Sequence, residues 1–337
     1  MIRYAAFILA LAVGATTAGA QQVLPWHRLD LDSLSRATVA DSDDAVVQYH
    51  NALAFWDRKK YDEADSLLRR AMKLAPEYAD AQLAFSILPL ARGDRYLEDL
   101  NHRLSKDSMA AFVREMNAAS RRAFLLDPGV DLSVLARAGD HYLPQPRGSL
   151  VLQTPRGPVF IRTGDPWWFG PLKKGAHQLV AGQPEEAFKT LDDALHRKEM
   201  QEPGAYLGDD FVWWYALAAF HVHNYDRAVS ALLTLVQRAS DREATASSWS
   251  PPQARPDFEY LLATALYLGN AYDRADSSFR AALDLDLGLY MAHVQMARIA
   301  EARGDLAGAA IERQRAIDTN PEEGGLYVDL GATLLRA

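Results

Sequence analysis

The sequence predicts an all-α fold, a solenoid of repeated helical hairpins with an inserted loop and β-hairpin segment. Three observations predict it. The phrases "YDEADSLLRRA" from Tyr61, "YDRAVSALLTL" from Tyr225 and "YDRADSSFRAA" from Tyr272 share Tyr-Asp-x-Ala and then, four residues on, a bulky apolar residue. A small residue stands 12 positions before each of those alanines: Ala52 before Ala64, Ala216 before Ala228, Ala263 before Ala275. A fourth copy carries Ala297, Ala309, Ala316 and Pro321, and Ala309 lies 34 residues after Ala275. Self-similarity at such a period marks a stacked-repeat architecture. Small residues let the helices of a pair approach closely. Bulky ones fill the gap to the next pair, and no unit buries its apolar face alone.

Along the chain, residues 1–20 run from a basic start at Arg3 through an apolar stretch to Ala18-Gly19-Ala20, the pattern of a cleaved secretory signal. The other reading is a retained anchor, because residues 4–20 form an apolar run of 17, the lower limit for spanning a bilayer. The first reading places the mature chain in the periplasm or another extracytoplasmic space; the second anchors it in the membrane. Residues 21–44 form an N-terminal extension. Residues 45–128 hold a first array. Its unit Ala45–Tyr78 carries Ala52, Ala64, Leu68, Ala71 and Pro76, and Ala79–Pro128 is a unit stretched by about one helix.

Residues 129–171 are the insertion, with four of the chain's 16 prolines between Pro144 and Pro158. Leu150–Leu152 and Val159–Ile161 are β-prone runs around Pro155-Arg156-Gly157, a hairpin signal. Then comes "TGDPWWFGPLKKG", with Trp167, Trp168 and Phe169 between two prolines. Residues 172–337 hold the second array. Its second helices include "GQPEEAFKTLDDAL" from Gly182, with Ala187, Leu191 and Ala194. Unit Asp209–Ser240 has Leu235 where alanine is expected. Asp241–Arg255, rich in Ser and Pro, reads as a loop. Units Pro256–Leu289 and Tyr290–Glu323 follow, the latter with the turn Gly304-Asp305 and with Arg313 where a bulky apolar residue belongs. In the closing "GGLYVDLGATLLRA", Leu330, Leu334 and Leu335 are expected to cover the final pair as a capping helix.

These residues resemble the tetratricopeptide repeat (TPR) family of helical solenoids, here as an exported bacterial-type member. The resemblance covers most of 45–128 and 172–337. It implies a protein-binding scaffold whose first helices line a concave face. Two residues of each first helix, seven apart and so on one side, would face that groove: Tyr49 and Trp56, Trp213 and Phe220, Tyr260 and Tyr267. In the next unit they are Val294 and Glu301, and the aromatic stripe stops. The stripe is either packing between neighbouring first helices or a groove for an extended peptide, a helix or a sugar chain. The Lys and Asn clamp that some relatives use for acidic peptide tails does not appear at these positions.

Composition narrows the function. There is no cysteine, so no disulfide framework, thiolate metal site or thiol nucleophile is available. The formal charge of −8 argues against nucleic acid as a partner. The charge is uneven, however. Tyr206–Ala337 holds 11 basic and 18 acidic residues, net −7. Leu132–Gln183 holds Arg137, Arg147, Arg156, Arg162, Lys173 and Lys174 against Asp140 and Asp165, net +4. No phosphate-binding loop, nucleophile elbow or zinc-protease motif occurs. His221 and His223, two apart, point to different sides of a helix. No catalytic residue, metal ligand or cofactor is therefore assigned.

The expectation is a non-catalytic exported scaffold that binds protein partners, stabilising or assembling a membrane-associated multisubunit complex on its periplasmic side. Its contact surface would be Trp167, Trp168 and Phe169 with Arg156, Arg162, Lys173 and Lys174, since Trp and Arg are favoured anchors. The same residues suit a membrane interface, or simple packing of the insertion on the next helix pair. The alternative function is a glycan- or peptide-binding accessory using the aromatic groove.

Overall fold

The structure, a computed structural model, describes residues 43–142, 150–154, 157–161, 167–201, 207–245 and 255–337. Residues 1–42, with the expected signal or anchor and most of the extension, lie outside them. The described residues form a TPR-like solenoid of antiparallel helix pairs. The first array has α1 (Ala45–Asp57) against α2 (Tyr61–Leu74), and α3 (Ala79–Ala91) against α5 (Lys106–Leu126), with α4 (Asp94–Arg103) between them. A 3₁₀ stretch, Leu132–Tyr142, packs back on α3. Strands β1 (Leu150–Thr154) and β2 (Gly157–Ile161) pair antiparallel, Leu150 opposite Ile161. The second array pairs α6 (Phe169–Val180) with α7 (Pro184–Gln201), α8 (Asp209–His221) with α9 (Tyr225–Thr245), α10 (Arg255–Leu268) with α11 (Tyr272–Leu285) and α12 (Tyr290–Ala302) with α13 (Leu306–Thr319). Helix α14 (Gly324–Arg336) closes it. Among the described residues no helix is long and apolar enough to cross a membrane.

The repeat is written in the backbone as well as in the alanines. Five residues before each second-helix alanine the chain turns left-handed: Lys59 (φ 60°), Gly182 (74°), His223 (56°), Asn270 (60°) and Gly304 (79°). Gly93 (φ 85°) holds the same place in the stretched unit, 14 residues after Ala79 as Lys59 is after Ala45. The next N–H then reaches back five residues to a carbonyl: Lys60 to Phe55 at 2.9 Å, Gln183 to Gln178 at 2.9 Å, Asn224 to Ala219 at 2.8 Å, Ala271 to Leu266 at 2.8 Å and Asp305 to Ala300 at 2.9 Å. This left-handed cap ends the first helix and reverses the chain while satisfying carbonyls the helix leaves open.

Close approach follows from the small residues. Ala52, Ala64, Ala71, Ala228, Ala263, Ala275, Ala282, Ala297, Ala309 and Ala316 are all fully buried. Gly175 shows why the place must be small: a Cβ there would lie 2.6 Å from Cγ of Leu191 on α7. Helix α9 runs to Thr245, so the first residues of the stretch read as a loop are helical.

The stretched unit differs most from a regular array. Helix α4 and the first half of α5 stand off the body; from Leu97 to Ala118 no side chain is buried. The far end of α5 instead reaches units distant in sequence. The Arg121 guanidinium pairs with Asp257 (2.6 Å) at the start of α10 and with Asp286 (3.0 Å) after α11. Arg122 pairs with Glu323 (2.7 Å) before α14, donates to the Pro76 carbonyl (3.2 Å) and lies 5.8 Å from the ring centre of Tyr290. In a simple solenoid each unit touches only its neighbours. Here α5 bridges the two arrays and closes the arc.

The final unit departs from the apolar rule. Arg313 is buried at a place where α11 puts Phe279. Its guanidinium pairs with Glu301 at 3.0 Å and Asp329 at 2.8 Å. Glu301 also accepts from the Thr333 hydroxyl (3.0 Å) and from Arg336 (2.6 Å). Burial alone would raise the Glu301 pKa, but the hydrogen bonds from Arg313 and Thr333 hold it below its ordinary value. This network docks α14, helped by Leu326 and Leu330 against Ile317. Leu334 and Leu335 do not cover the pair as expected: they are 57% and 91% exposed. The docking side of a 13-residue helix is narrow, and Leu326, Leu330 and Thr333 occupy it.

Candidate functional site

Helix α6 begins at Phe169, two residues before Pro171. A proline in the first helical turn forfeits only an N–H that the turn leaves unused, so the helix starts inside the stretch read as insertion. Trp168 is its N-cap residue, and the Leu172 N–H donates to the Trp168 carbonyl at 3.0 Å. The Trp168 ring stands edge-on to Phe169 and to Phe211 of α8, with centroids 6.3 Å away in each case. Gly208 lies beneath it: a Cβ there would come 2.8 Å from the ring. Trp168 is thus a wedge between α6 and α8.

Phe169 is buried, with the Lys173 ammonium 5.5 Å from its ring centre. Trp167 is half-buried against the core, and the Arg197 guanidinium of α7 sits 5.3 Å from its ring centre. Lys173 and Lys174 are exposed on the first turns of α6. The structure therefore divides the expected seven-residue surface. Phe169 leaves it, because a buried ring cannot meet a partner. Trp168 is mostly structural. Trp167 stays partly exposed and is paired with Arg197, which sequence reading did not include, while Lys173 and Lys174 are exposed on α6. Arg156 and Arg162 lie outside the described residues.

The aromatic stripe is a correction too. Tyr49, Trp56, Phe220 and Tyr260 are buried, Tyr260 to 1% exposure. Tyr49 packs edge-on against Tyr78 at 5.2 Å, Phe220 against Tyr225 at 6.4 Å and Tyr260 against Phe279 at 5.4 Å. Gln295 of the next first helix donates to the Tyr260 hydroxyl at 3.4 Å, and burial pushes that phenol up to about 12. These rings join successive helices rather than line an open groove. Spacing by seven places residues on one side of a helix but does not tell a groove from a joint.

Trp213 and Tyr267 keep partial exposure. Tyr267 leans on Tyr272 (5.8 Å). Trp213 lies between Phe124 of α5 (5.4 Å) and Phe258 of α10 (6.2 Å). It borders a cavity of about 270 Å³ where α3, α5 and α8 meet, lined also by Leu83, Ile87, Leu132 and Leu135.

The least expected chemistry is acidic. Asp80, at the start of α3, accepts from the Asp131 N–H at 3.1 Å. Burial pushes its carboxyl up to about 6; the hydrogen bond opposes the shift, and the charges of Asp131 and Asp127 add to it. The same surroundings, burial first and then Asp80 and Asp131, raise the Tyr49 phenol far above its ordinary value. Among the described residues no group of three or more His, Asp or Glu side chains is arranged to hold a metal ion.

No family model matches the chain, and no curated protein matches it. Solved structures do. A TPR protein with an unusual peptide-binding site, YrrB, is 11% identical, with 90% of this chain and 100% of that one covered, at a TM-score of 0.36. The Cut9–Hcn1 hetero-tetramer of the APC/C is 14% identical at 0.36; the match covers 90% of this chain but only 45% of that one. PilW, a type IV pilus biogenesis factor, is 14% identical at 0.36, with 85% and 98% covered. What those proteins bind is not carried over at such distances. The TPR-like helix pairs are established by this chain's own alanines and left-handed turns.

Proposed function

We propose that this chain is a non-catalytic, exported scaffold that binds a membrane-associated protein, and that the start of α6 is a contact. The observation that supports it is the contrast among the aromatics. Tyr49, Trp56, Phe220 and Tyr260 are consumed inside the solenoid, whereas Trp167 is only partly buried just before α6, the helix that carries exposed Lys173 and Lys174, with the Arg197 guanidinium 5.3 Å from its ring centre. Tryptophan and arginine are favoured interface anchors. Export and a periplasmic site of action rest on the sequence of residues 1–20. The glycan- or peptide-groove alternative loses its platform, because four of the six stripe residues are buried.

The test is co-purification from solubilised membranes with Trp167→Ala, alone and with Lys173→Glu and Lys174→Glu. Trp167→Ala is expected to weaken partner retention by about 2 kcal/mol, the scale of a hot-spot residue. Because Trp167 is only half-buried, the thermal midpoint should fall little. Retention unchanged per folded molecule in the triple variant rejects the start of α6 as an interface.

A further inference from the structure

We infer that residues 27–40 of this chain cap the open end of the first array, seated on α1 as the second helix of a preceding unit would be, with Ser35 opposite Asn51. Each first helix carries a small residue at its crossing: Ser86, Ala216 and Ala263 on α3, α8 and α10. The residue just before it meets the second helix of the unit before. The ring centre of Phe85 on α3 lies 4.5 Å from the Arg69 guanidinium of α2. Tyr215 of α8 stacks on Phe188 of α7 at 5.5 Å and donates to Asp192. Leu262 of α10 shares a cavity wall with Leu233 of α9. On α6, which no second helix precedes among the described residues, the same place is open: Lys174, just before Gly175, is exposed.

On α1 that place is Asn51, and among the described residues no unit comes before it. Asn51 is nevertheless 0% exposed, and Gln48, one turn earlier, 1%. The described neighbours of α1 lie on other sides. Ala52 faces α2, and Tyr49 packs on Tyr78. At 3.6 residues per turn Asn51 points about 100° away from Ala52 and about 160° away from Tyr49. The chain stands alone, so what covers Asn51 is its own. Neither Nδ2 nor Oδ1 of Asn51 has a hydrogen-bond partner among the described residues. A buried amide left so is costly, and the cover must bring a polar group to it.

The stretch that adjoins α1 outside the described residues is 1–42, and its place in the repeat follows from spacing. Four residues separate α2, α11 and α13 from the next first helix, and each of the three is 14 residues long. The same spacing before Ala45 sets a second helix of that length over 27–40. This stretch has no glycine or proline and begins just after Pro25. It puts Leu34 and Ala37 at the places of Leu68 and Ala71, and Ser35 at the place of Arg69, Asp192 and Leu233. A serine hydroxyl both donates and accepts, which supplies the partner Asn51 lacks. Asp30 falls where Ala64 stands. That side of a second helix meets its own first helix, and a cap without one leaves the charge in water. A polar outer face is what the end of a stacked array requires.

Neither export nor the contact at the start of α6 bears on this cap, and cleavage after Ala20 would leave 27–40 in place. The chain has no cysteine, so Ser35→Cys with Asn51→Cys in the full chain adds one isolated pair of thiols. Dibromobimane, which fluoresces on bridging two nearby thiols, should label that pair at least tenfold faster than Ser35→Cys with Val46→Cys, whose second site is exposed on another side of α1. Hydrogen exchange on the unsubstituted chain should show 31–40 protected as strongly as α2. Leu34→Asp should speed exchange at least tenfold in 31–40 and in α1 while leaving α10 to α13 unchanged. Three results overturn the inference: 31–40 exchanging as an unfolded chain, equal bridging of the two thiol pairs, or bridging of Ser35→Cys to Asn51→Cys only between two molecules, which would assign the cover to a second copy.

Discussion

The units Pro256–Leu289 and Tyr290–Glu323 have one length and one register, yet they are held together by opposite chemistry. Where the first places Phe279 in a fully buried joint with Tyr260, the second places Arg313. Where the first has Tyr267, the second has Glu301. The two departures answer each other: Arg313 and Glu301 pair at 3.0 Å, and α14 docks on the pair. The repeat therefore tolerates buried charge in place of apolar volume at these places, even with Arg313 Nε and Nη1 lacking hydrogen bonds of their own. A buried ion pair is weak as a source of stability but specific about what it accepts, which suits the last joint of a stack.

Phe279→Ala should have the largest effect, a loss of about 3–5 kcal/mol from the cavity it leaves, read from denaturant midpoints. Arg313→Ala should cost less, about 1–3 kcal/mol, because Glu301 keeps Thr333 and Arg336 as partners and so is not stranded. Replacing both Arg313 and Glu301 by leucine should restore the chemistry of the earlier unit at a net change within about 1–2 kcal/mol of zero. If the double variant is as damaged as Arg313→Ala, the two units are not interchangeable in the way proposed.

Acid sharpens the contrast between charge buried with a cation and charge buried without one. Glu301 titrates below its ordinary value, so its contribution is present above the unfolded pKa and disappears as pH falls through the folded one. Asp80 is the reverse. Its carboxyl, raised from 3.8 to about 6, favours the fold when protonated, and that contribution is lost as pH rises through about 6. Asp80→Asn keeps the acceptor for the Asp131 N–H. Allowing for partial exposure, it should add about 1–2 kcal/mol at pH 7.5 and almost nothing at pH 4. Hydrogen exchange resolved by helix should show the α13–α14 joint loosening first in acid.

The smallest expected change lies in the turns. Asn270→Gly would give the earlier unit the turn residue of the later one, Gly304. It should add a few tenths of a kcal/mol, since Asn tolerates the left-handed region. His223→Gly and Lys59→Gly should add about 0.5–1 kcal/mol.

The helix pairs were legible because alanine at a close crossing has no substitute but glycine, and the crossings recur. The left-handed turns were legible only in part. Gly304 announces one, whereas Lys59 and His223 do not, since the cap is imposed by the pairing of the helices. Arg313 and Glu301 were visible as two anomalies of one unit, and their partnership needed only the fact that their places face each other. The seven-residue site was legible as a cluster but not in its division, because burial of Phe169 and Trp168 depends on Phe211 and Gly208, some 40 residues away. Arg121 and Arg122 left no trace, because pairing over such distances has no period.

Those two arginines also bear on the order in which the molecule assembles. Stacked helix pairs form from contacts close in sequence, which makes for rapid folding that can begin at any unit. The contacts of Arg121 with Asp257 and Asp286, and of Arg122 with Glu323, span 136, 165 and 201 residues. They can form only after both arrays exist with the right curvature. Joining the ends of α5 and the last units is then a slow, late event, and at high salt, where partly exposed pairs are screened, both arrays would be complete before the arc shuts.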